Sequence, residues 1–213
     1  MSENVLSAGN QQGSLSLKRY NPSETTRRSP KRNVSKGEIV AYLHGAMHDA
    51  TLNKNKRIRF SQKNQGWLLI LKEFLAQIGS RSWIYQEGKT RNVYVLETLC
   101  PDLNFNFNPH GLKISEEKIC YIKGFFDAEG GIPHTNDRFY IQLVQKNRKK
   151  LEFLKRMLFD LGIESGKIHN PSKRVDPNYW RFFIASKSYR LFAQKINSFH
   201  PLKSDIFSRR MMI

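Results

Sequence analysis

Two stretches of this chain place an acidic residue where a helix should end. One is Leu43-His44-Gly45-Ala46-Met47-His48-Asp49-Ala50-Thr51, and the other is Ile122-Lys123-Gly124-Phe125-Phe126-Asp127-Ala128-Glu129-Gly130-Gly131. A carboxylate at a helix C-terminus opposes the macrodipole at a cost of about 0.3–1 kcal/mol, so something must compensate. A divalent cation would do so, and hard, oxygen-ligated ions such as Mg²⁺ activate water and stabilise developing oxyanions in phosphodiester hydrolysis. Glu129 is the first candidate ligand, because the Gly130-Gly131 turn lets a phosphate approach closely. Its partner is less direct. Alignment on Gly45 and Gly124 sets Ala50 opposite Glu129, whereas alignment on the acids sets Asp49 there. Asp49 is preferred, since a one-residue shift at a helix terminus is cheap and an alanine side chain cannot ligate a metal. The alternative is that one of the two halves is inactive. Asp127 reads as a polar or capping neighbour. His44 and His48 have the i, i+4 spacing of zinc proteases, but Gly45 stands where the glutamate base should be, which disfavours zinc.

These residues need elements to hold them, and the chain supplies the same set twice. Ser35-Lys36-Gly37-Glu38 has the form of a capping box and opens a helix through Ile39, Leu43 and Met47. Ser115, with Glu116 and Glu117 in the first turn, opens a second through Ile119, Ile122 and Phe126. Gly45 and Gly124 recur at matching points, as a close helix–helix contact requires. Period-two segments follow at residues 57–61 and 138–143, with Ile58, Phe60, Phe139, Ile141 and Leu143 on the faces expected to pack under helices. Next comes Gln-Lys-Asn at 62–64 and again at 145–147, an offset of 83 residues. An apolar stripe then runs through Trp67, Leu71, Phe74 and Ile78 to Gly79, and another through Leu151, Leu154, Leu158 and Leu161 to Gly162. Second hairpins pair residues 82–85 with 92–96 and 167–169 with 180–184. Each half reads helix, two strands, helix, two strands, closing helical segment. The fold class is α/β (α+β), with two pseudo-symmetric αββαββα repeats at residues 37–114 and 115–213. Residues 1–36, rich in Ser, Asn, Gln and Arg, read as a disordered basic tail.

On its two acidic stretches, the second a close match and the first degenerate, the sequence resembles the LAGLIDADG homing endonucleases over about residues 37–213. Two copies in one chain look like the monomeric, pseudo-symmetric form of that family. The resemblance implies paired motif helices at the repeat interface, antiparallel sheets forming a DNA-binding saddle, and a double-strand break as product. It makes Asp49 and Glu129 ligands of Mg²⁺, or of another divalent cation such as Mn²⁺, with the backbone of Ala50 and Ala128 as further ligands. Gln62 and Gln145 fall where the family has a polar residue that orders active-site water, a role suited to a neutral amide. Both halves close with Pro and then Leu-Lys, at Pro109 to Lys113 and Pro201 to Lys203. In the family a lysine here points into the active site, where its charge would act on the transition state. Lys113 and Lys203 therefore join the catalytic candidates.

The polar face of the strands should meet DNA, through Arg57, Arg59, Ser61, Arg138, Tyr140 and Gln142, with Lys63 and Lys146 beside them. A two-stranded ribbon fits a major groove, arginine can address guanine, and lysines on phosphate set the salt dependence. Two half-sites imply a double-stranded DNA target of roughly 20 base pairs. The departure His48-Asp49-Ala50-Thr51 from the family pattern keeps two non-cleaving alternatives: a maturase on intron RNA, or a DNA-binding regulator. Trp83, Tyr85, Tyr94, Trp180 and Phe182 are the residues that would stack RNA bases.

Charge and composition agree with a polyanionic partner. The chain has 213 residues with 36 Lys+Arg against 18 Asp+Glu, a net charge of +18, and a pI of about 10.1. With 39% apolar and 12% aromatic residues it can build a core, which excludes full disorder. The longest apolar run, residues 67–71, is far below the roughly 18 that a membrane span needs. Cys100 and Cys120 are too few for a disulfide framework. The expectation is an intracellular monomer, cytoplasmic or nucleoid-associated, with the Arg- and Ser-rich tail leaving an organelle as the alternative.

Overall fold

The computed structural model describes residues 34–54, 56–88, 90–133, 135 and 138–211. Apart from its last three residues, the expected tail lies outside these. The first repeat runs α1 (Lys36–Ala46), a 3₁₀ turn (Met47–Asp49), β1 (Ala50–Leu52), β2 (Ile58–Gln62), α2 (Gln65–Gln77), β3 (Ser82–Gln86) and β4 (Tyr94–Thr98). A 3₁₀ turn at Pro109–Gly111 leads to the second repeat. That repeat runs α3 (Ser115–Glu129), β5 (Gly130–Gly131), β6 (Gln142–Gln145), α4 (Arg148–Asp160), β7 (Trp180–Phe183), α5 (Tyr189–Lys195) and α6 (Pro201–Met211). Among the described residues no helix is long and apolar enough to cross a membrane.

Local chemistry explains the boundaries. Ser35 Oγ accepts the Glu38 N–H at 3.2 Å while the Glu38 carboxylate accepts the Ser35 N–H at 3.3 Å, the reciprocal pair of a capping box. The repeated Gln-Lys-Asn ends in a helix cap each time. Asn64 Oδ1 accepts the Gly66 N–H at 2.8 Å at the start of α2, and Asn147 Oδ1 accepts the Lys149 N–H at 3.0 Å at the start of α4.

All strand pairings are antiparallel, in the order β1-β2-β4-β3 for the first sheet and β5-β6-β7 for the second. Three departures from the expected repeat occur. The first half closes on a 3₁₀ turn, whereas the second closes on two helices. The strand expected from Arg138 begins only at Gln142, because its partner β5 offers just two residues to pair with. Residues 167–169 make no strand; only the bridge of His169 to Arg181, with Ser165 to Ile184 nearby, ties that segment to the sheet.

Each sheet packs its apolar face under its own helices. Trp67, Leu68, Leu71 and Leu75 of α2 cover Ile58, Phe60 and Leu96, while Leu151, Leu154 and Leu158 of α4 cover Ile141, Leu143 and Phe182. Full burial of such a side chain stabilises by about 1.5–3 kcal/mol. Between the two cores run α1 and α3. A β-carbon on Gly45 would overlap the Tyr121 carbonyl oxygen, and one on Gly124 would overlap that of Tyr42. The recurrent glycines are thus where the two helix backbones touch.

Candidate active site

The contact between α1 and α3 is symmetric in side chains as well. Tyr42 donates its hydroxyl hydrogen to Asp127 at 2.7 Å; Tyr121, 79 residues on, meets His48 Nε2 at 2.9 Å, and His48 and Asp127 are also 79 apart. Beyond this pair the register slips, since Asp49 and Glu129 are separated by 80 residues. The end of α1 absorbs the slip. Met47–Asp49 is a 3₁₀ turn, whereas α3 stays α-helical through Glu129. Three residues at about 2.0 Å rise cover the same distance, roughly 6 Å, as four at about 1.5 Å. Each acid therefore comes immediately before the first residue of a strand, Ala50 or Gly130. Asp49, not Ala50, is the positional equivalent of Glu129. The two backbone candidates are not equivalent, because Ala50 follows its acid and Ala128 precedes its own.

Of the two carboxylates, Glu129 feels the other. Burial and the negative charge of Asp49 push Glu129 up to about 7, against the pull of Lys203, Lys146 and Lys150. Burial also raises Asp49, opposed by Gln62 and Lys203.

Gln62 and Gln145 hold equivalent register positions, each two residues past the one that faces the first residue of the preceding strand. Their side chains nevertheless differ. Gln62 Nε2 donates to Asp49 at 2.8 Å. Gln145 Oε1 accepts the Lys146 N–H at 2.7 Å, which turns Nε2 toward His48 Nδ1 at 3.4 Å. Nδ1 must then accept, so Nε2 of His48 carries the hydrogen toward the Tyr121 hydroxyl. Burial, aided by Lys150, holds His48 down at about 3. His44 is engaged elsewhere: it stacks on Phe107 at 3.8 Å, while its ring nitrogens meet the Val40 carbonyl and the Asn104 N–H.

Of the two closing lysines, Lys203 enters the site. Its Nζ donates to the carbonyls of Phe126 at 2.6 Å and Asp127 at 2.9 Å, at the end of α3, and Asp127, Asp49 and Glu129 all attract it. Burial still lowers it to about 8. Asp127, 2% exposed, arranges this by accepting from Tyr42, from Ser198 Oγ and from the Phe199 N–H at 2.9 Å. It thereby pins the segment that leads into α6. It is a polar neighbour and caps no helix; its partners Tyr42 and Ser198 stand 85 and 71 residues away, beyond any local pattern. Lys113 is exposed, past the 3₁₀ turn. Beside Met47 and His48, the counterparts of the residues on which Lys203 rests, lies a cavity of about 370 Å³ that Phe107, Gln145 and Lys150 also line.

The strand residues expected to touch DNA divide into two groups. On the first sheet, Arg57 and Arg59 are tied to acids, while Ser61 and Lys63 are exposed. On the second, Arg138, Tyr140 and Gln142 line one groove with Arg181 and Phe183, and Lys146 is exposed beyond it. Arg181, the polar alternate beside Phe182, joins the expected residues in this groove. The RNA-stacking residues are largely spent: Phe182 is core, Trp83 lies under Arg57 and Trp180 under Arg148.

A LAGLIDADG-like domain model matches residues 116–197, which is the repeat with the closer motif. Homing endonuclease I-ApeI of Aeropyrum pernix is 36% identical over 88 residues, 41% of this chain and 38% of that protein, so well under half of the relative's length is represented. The structure of I-DmoI in complex with DNA and Mn aligns with a TM-score of 0.56 at 22% identity, over 76% of this chain and 98% of that one. Full-length DUF199/WhiA from Thermatoga maritima aligns at 0.62 and 17% identity, over 87% of this chain and 64% of that one. Residues 116–197 thus form a LAGLIDADG-like domain, and the structural likenesses show that the chain shares the I-DmoI fold over 76% of its length.

Proposed function

We propose that the chain is a site-specific endonuclease that cuts both strands of an asymmetric duplex of roughly 20 base pairs, acting inside the cell as a monomer with repeats at residues 37–114 and 115–213. The observation that carries this reading is the juxtaposition of Asp49 and Glu129, two partly buried carboxylates whose mutual repulsion is felt in Glu129. Such a pair is unfavourable as two charges unless a cation joins it or one of the two takes up a proton. The donor set suits Mg²⁺ or Mn²⁺: hard carboxylate oxygens from the protein, with further positions for phosphate oxygens and water. Asp49 and Glu129 would hold the metal, with the backbone of Ala50 and Ala128 beside them. Bound there, a divalent ion supplies a more acidic water and charge stabilisation for the departing oxygen.

The chain's own residues do the rest. Gln62, anchored on Asp49, and Gln145, fixed by Lys146 N–H and His48, hold water with an amide that can both donate and accept. Lys203 contributes positive charge next to both acids. Arg57, Arg59, Arg138, Tyr140 and Gln142 meet base edges or backbone, and Lys63 and Lys146 meet phosphates. The relatives support the reading: I-ApeI is named a homing endonuclease, and I-DmoI was solved with DNA and Mn.

The test is to incubate the protein with a randomised duplex library and Mg²⁺, sequence cut ends and bound fragments separately, and repeat with EDTA. Metal-dependent cuts on both strands at one long site are expected. Specific binding without cuts would favour a DNA-binding regulator. No specific duplex binding would turn the search to structured RNA.

A further inference from the structure

The first sheet buries an acid on the face that should meet DNA. Arg59 on β2 and Trp83 on β3 both stand opposite Glu97 on β4, so the three share one face, while Ile58, Phe60 and Leu96 share the core face. Glu97 is 4% exposed. A buried carboxylate is strongly unfavourable unless it is paired and hydrogen-bonded, and Glu97 is both. It forms ion pairs with Arg57 Nη1 and Arg59 Nε, each at 3.2 Å, and accepts from Tyr85 Oη at 3.0 Å and Asn53 Nδ2 at 3.3 Å. Both arginines have a second fixed support. The Arg57 guanidinium lies over the Trp83 ring, 5.0 Å from its centroid, and Arg59 Nη2 reaches Glu87 at 2.9 Å.

This arrangement is costly for non-specific attraction, because two acids offset two cations in the middle of the surface. It is well suited to reading sequence. An unsupported arginine swings among phosphates and loses much rotamer freedom when it settles on a base. One held in a fixed plane loses less, and its five-donor fork keeps N–H groups for the O6 and N7 of guanine.

Resting on the endonuclease reading, we propose that Glu97 is a specificity-determining positioning residue, a buried carboxylate that holds Arg57 and Arg59 in the geometry that reads G·C pairs in the half-site under the first sheet. It touches neither the DNA nor the reacting phosphate. Its effect passes through the two guanidinium groups.

The experiment uses the full chain and a panel of duplexes carrying every single-base change in the preferred site. Glu97→Gln preserves the shape and acceptor oxygen but removes the charge. Discrimination should fall about tenfold at one or two neighbouring G·C pairs and stay as it was elsewhere. The loss should appear in KM for the preferred site rather than in kcat, and non-specific binding should tighten with a steeper salt dependence. Arg59→Lys, which keeps charge without the fork, should lose discrimination at one of the same pairs, and covers the case in which Glu97→Gln folds poorly. Unchanged discrimination at every pair, or an equal loss across the whole site, would overturn the proposal while leaving the endonuclease intact. Failure of the unchanged chain to bind any duplex specifically would overturn both, and so the two failures are told apart.

Discussion

Glu129 is the residue whose physical state says most about the site. Its carboxyl sits at about 7 in the fold, against an ordinary 4.5. The folded state thus holds this proton more tightly than the unfolded chain does. The associated stability is present below the ordinary value and is lost as pH rises from about 4.5 to about 7. His48, held down at about 3, pulls the other way over the same range, so the test is a difference: in EDTA the melting temperature of the unchanged chain should fall relative to that of Glu129→Gln, which cannot ionise, as melting curves of both at half-unit pH steps check. On the proposed metal role of Glu129, the same substitution should slow cleavage about 100-fold or more, with duplex affinity little altered, as a single-turnover assay beside a binding titration would show. The repeated glutamines were legible because Gln-Lys-Asn recurs at an offset of 83, and the acids because each stands where a helix should end. Glu97 and the bond of His48 to Tyr121 were not, because each acquires its meaning from partners tens of residues away.

Among the elements, the crossing of α1 and α3 positions everything else. Any side chain at Gly124 would push into the Tyr42 carbonyl of the facing helix, so Gly124→Ala should destabilise by about 3 kcal/mol, measured by denaturant melts. Both helices could be read from their apolar stripes and α1 also from its capping box, whereas Ser115 begins α3 without capping it, Ile114 standing at the N-cap; the hairpins of the first repeat could be read from their period of two. The 3₁₀ turn at Met47–Asp49 could not, since one missing residue in a helix is silent until the helix has a neighbour that fixes where it must end. The same reason hid the late start of β6: alternation ran through residues 138–143, but the two-residue β5 limits what can pair.

At the scale of the whole molecule, the chain carries a net charge of +18, and its described residues build two sheets, one with its arginines tied to acids and one with Arg138, Tyr140 and Arg181 lining an open groove. Affinity should therefore depend steeply on salt. Replacing Lys63 and Lys146 together by Gln should reduce the slope of log K against log salt by about 2 without moving the cut positions, as binding titrations between low and moderate salt would reveal. The duplication was plain in the sequence, whereas the inequality of the halves was not. Lys113 and Lys203 follow similar Pro-to-Lys segments, yet Asp127 pins only the second one against the helix pair, and packing rather than local pattern decides which lysine enters. The central claim is that Asp49 and Glu129 form one metal-holding pair despite the degenerate first motif. Strand-resolved, single-turnover cleavage of the recovered site by the unchanged chain, Asp49→Asn and Glu129→Gln tests it most directly. The prediction is two cuts by the unchanged chain and a loss of about 100-fold or more on at least one strand for each variant. Cleavage of both strands by Asp49→Asn at the unchanged rate would contradict it.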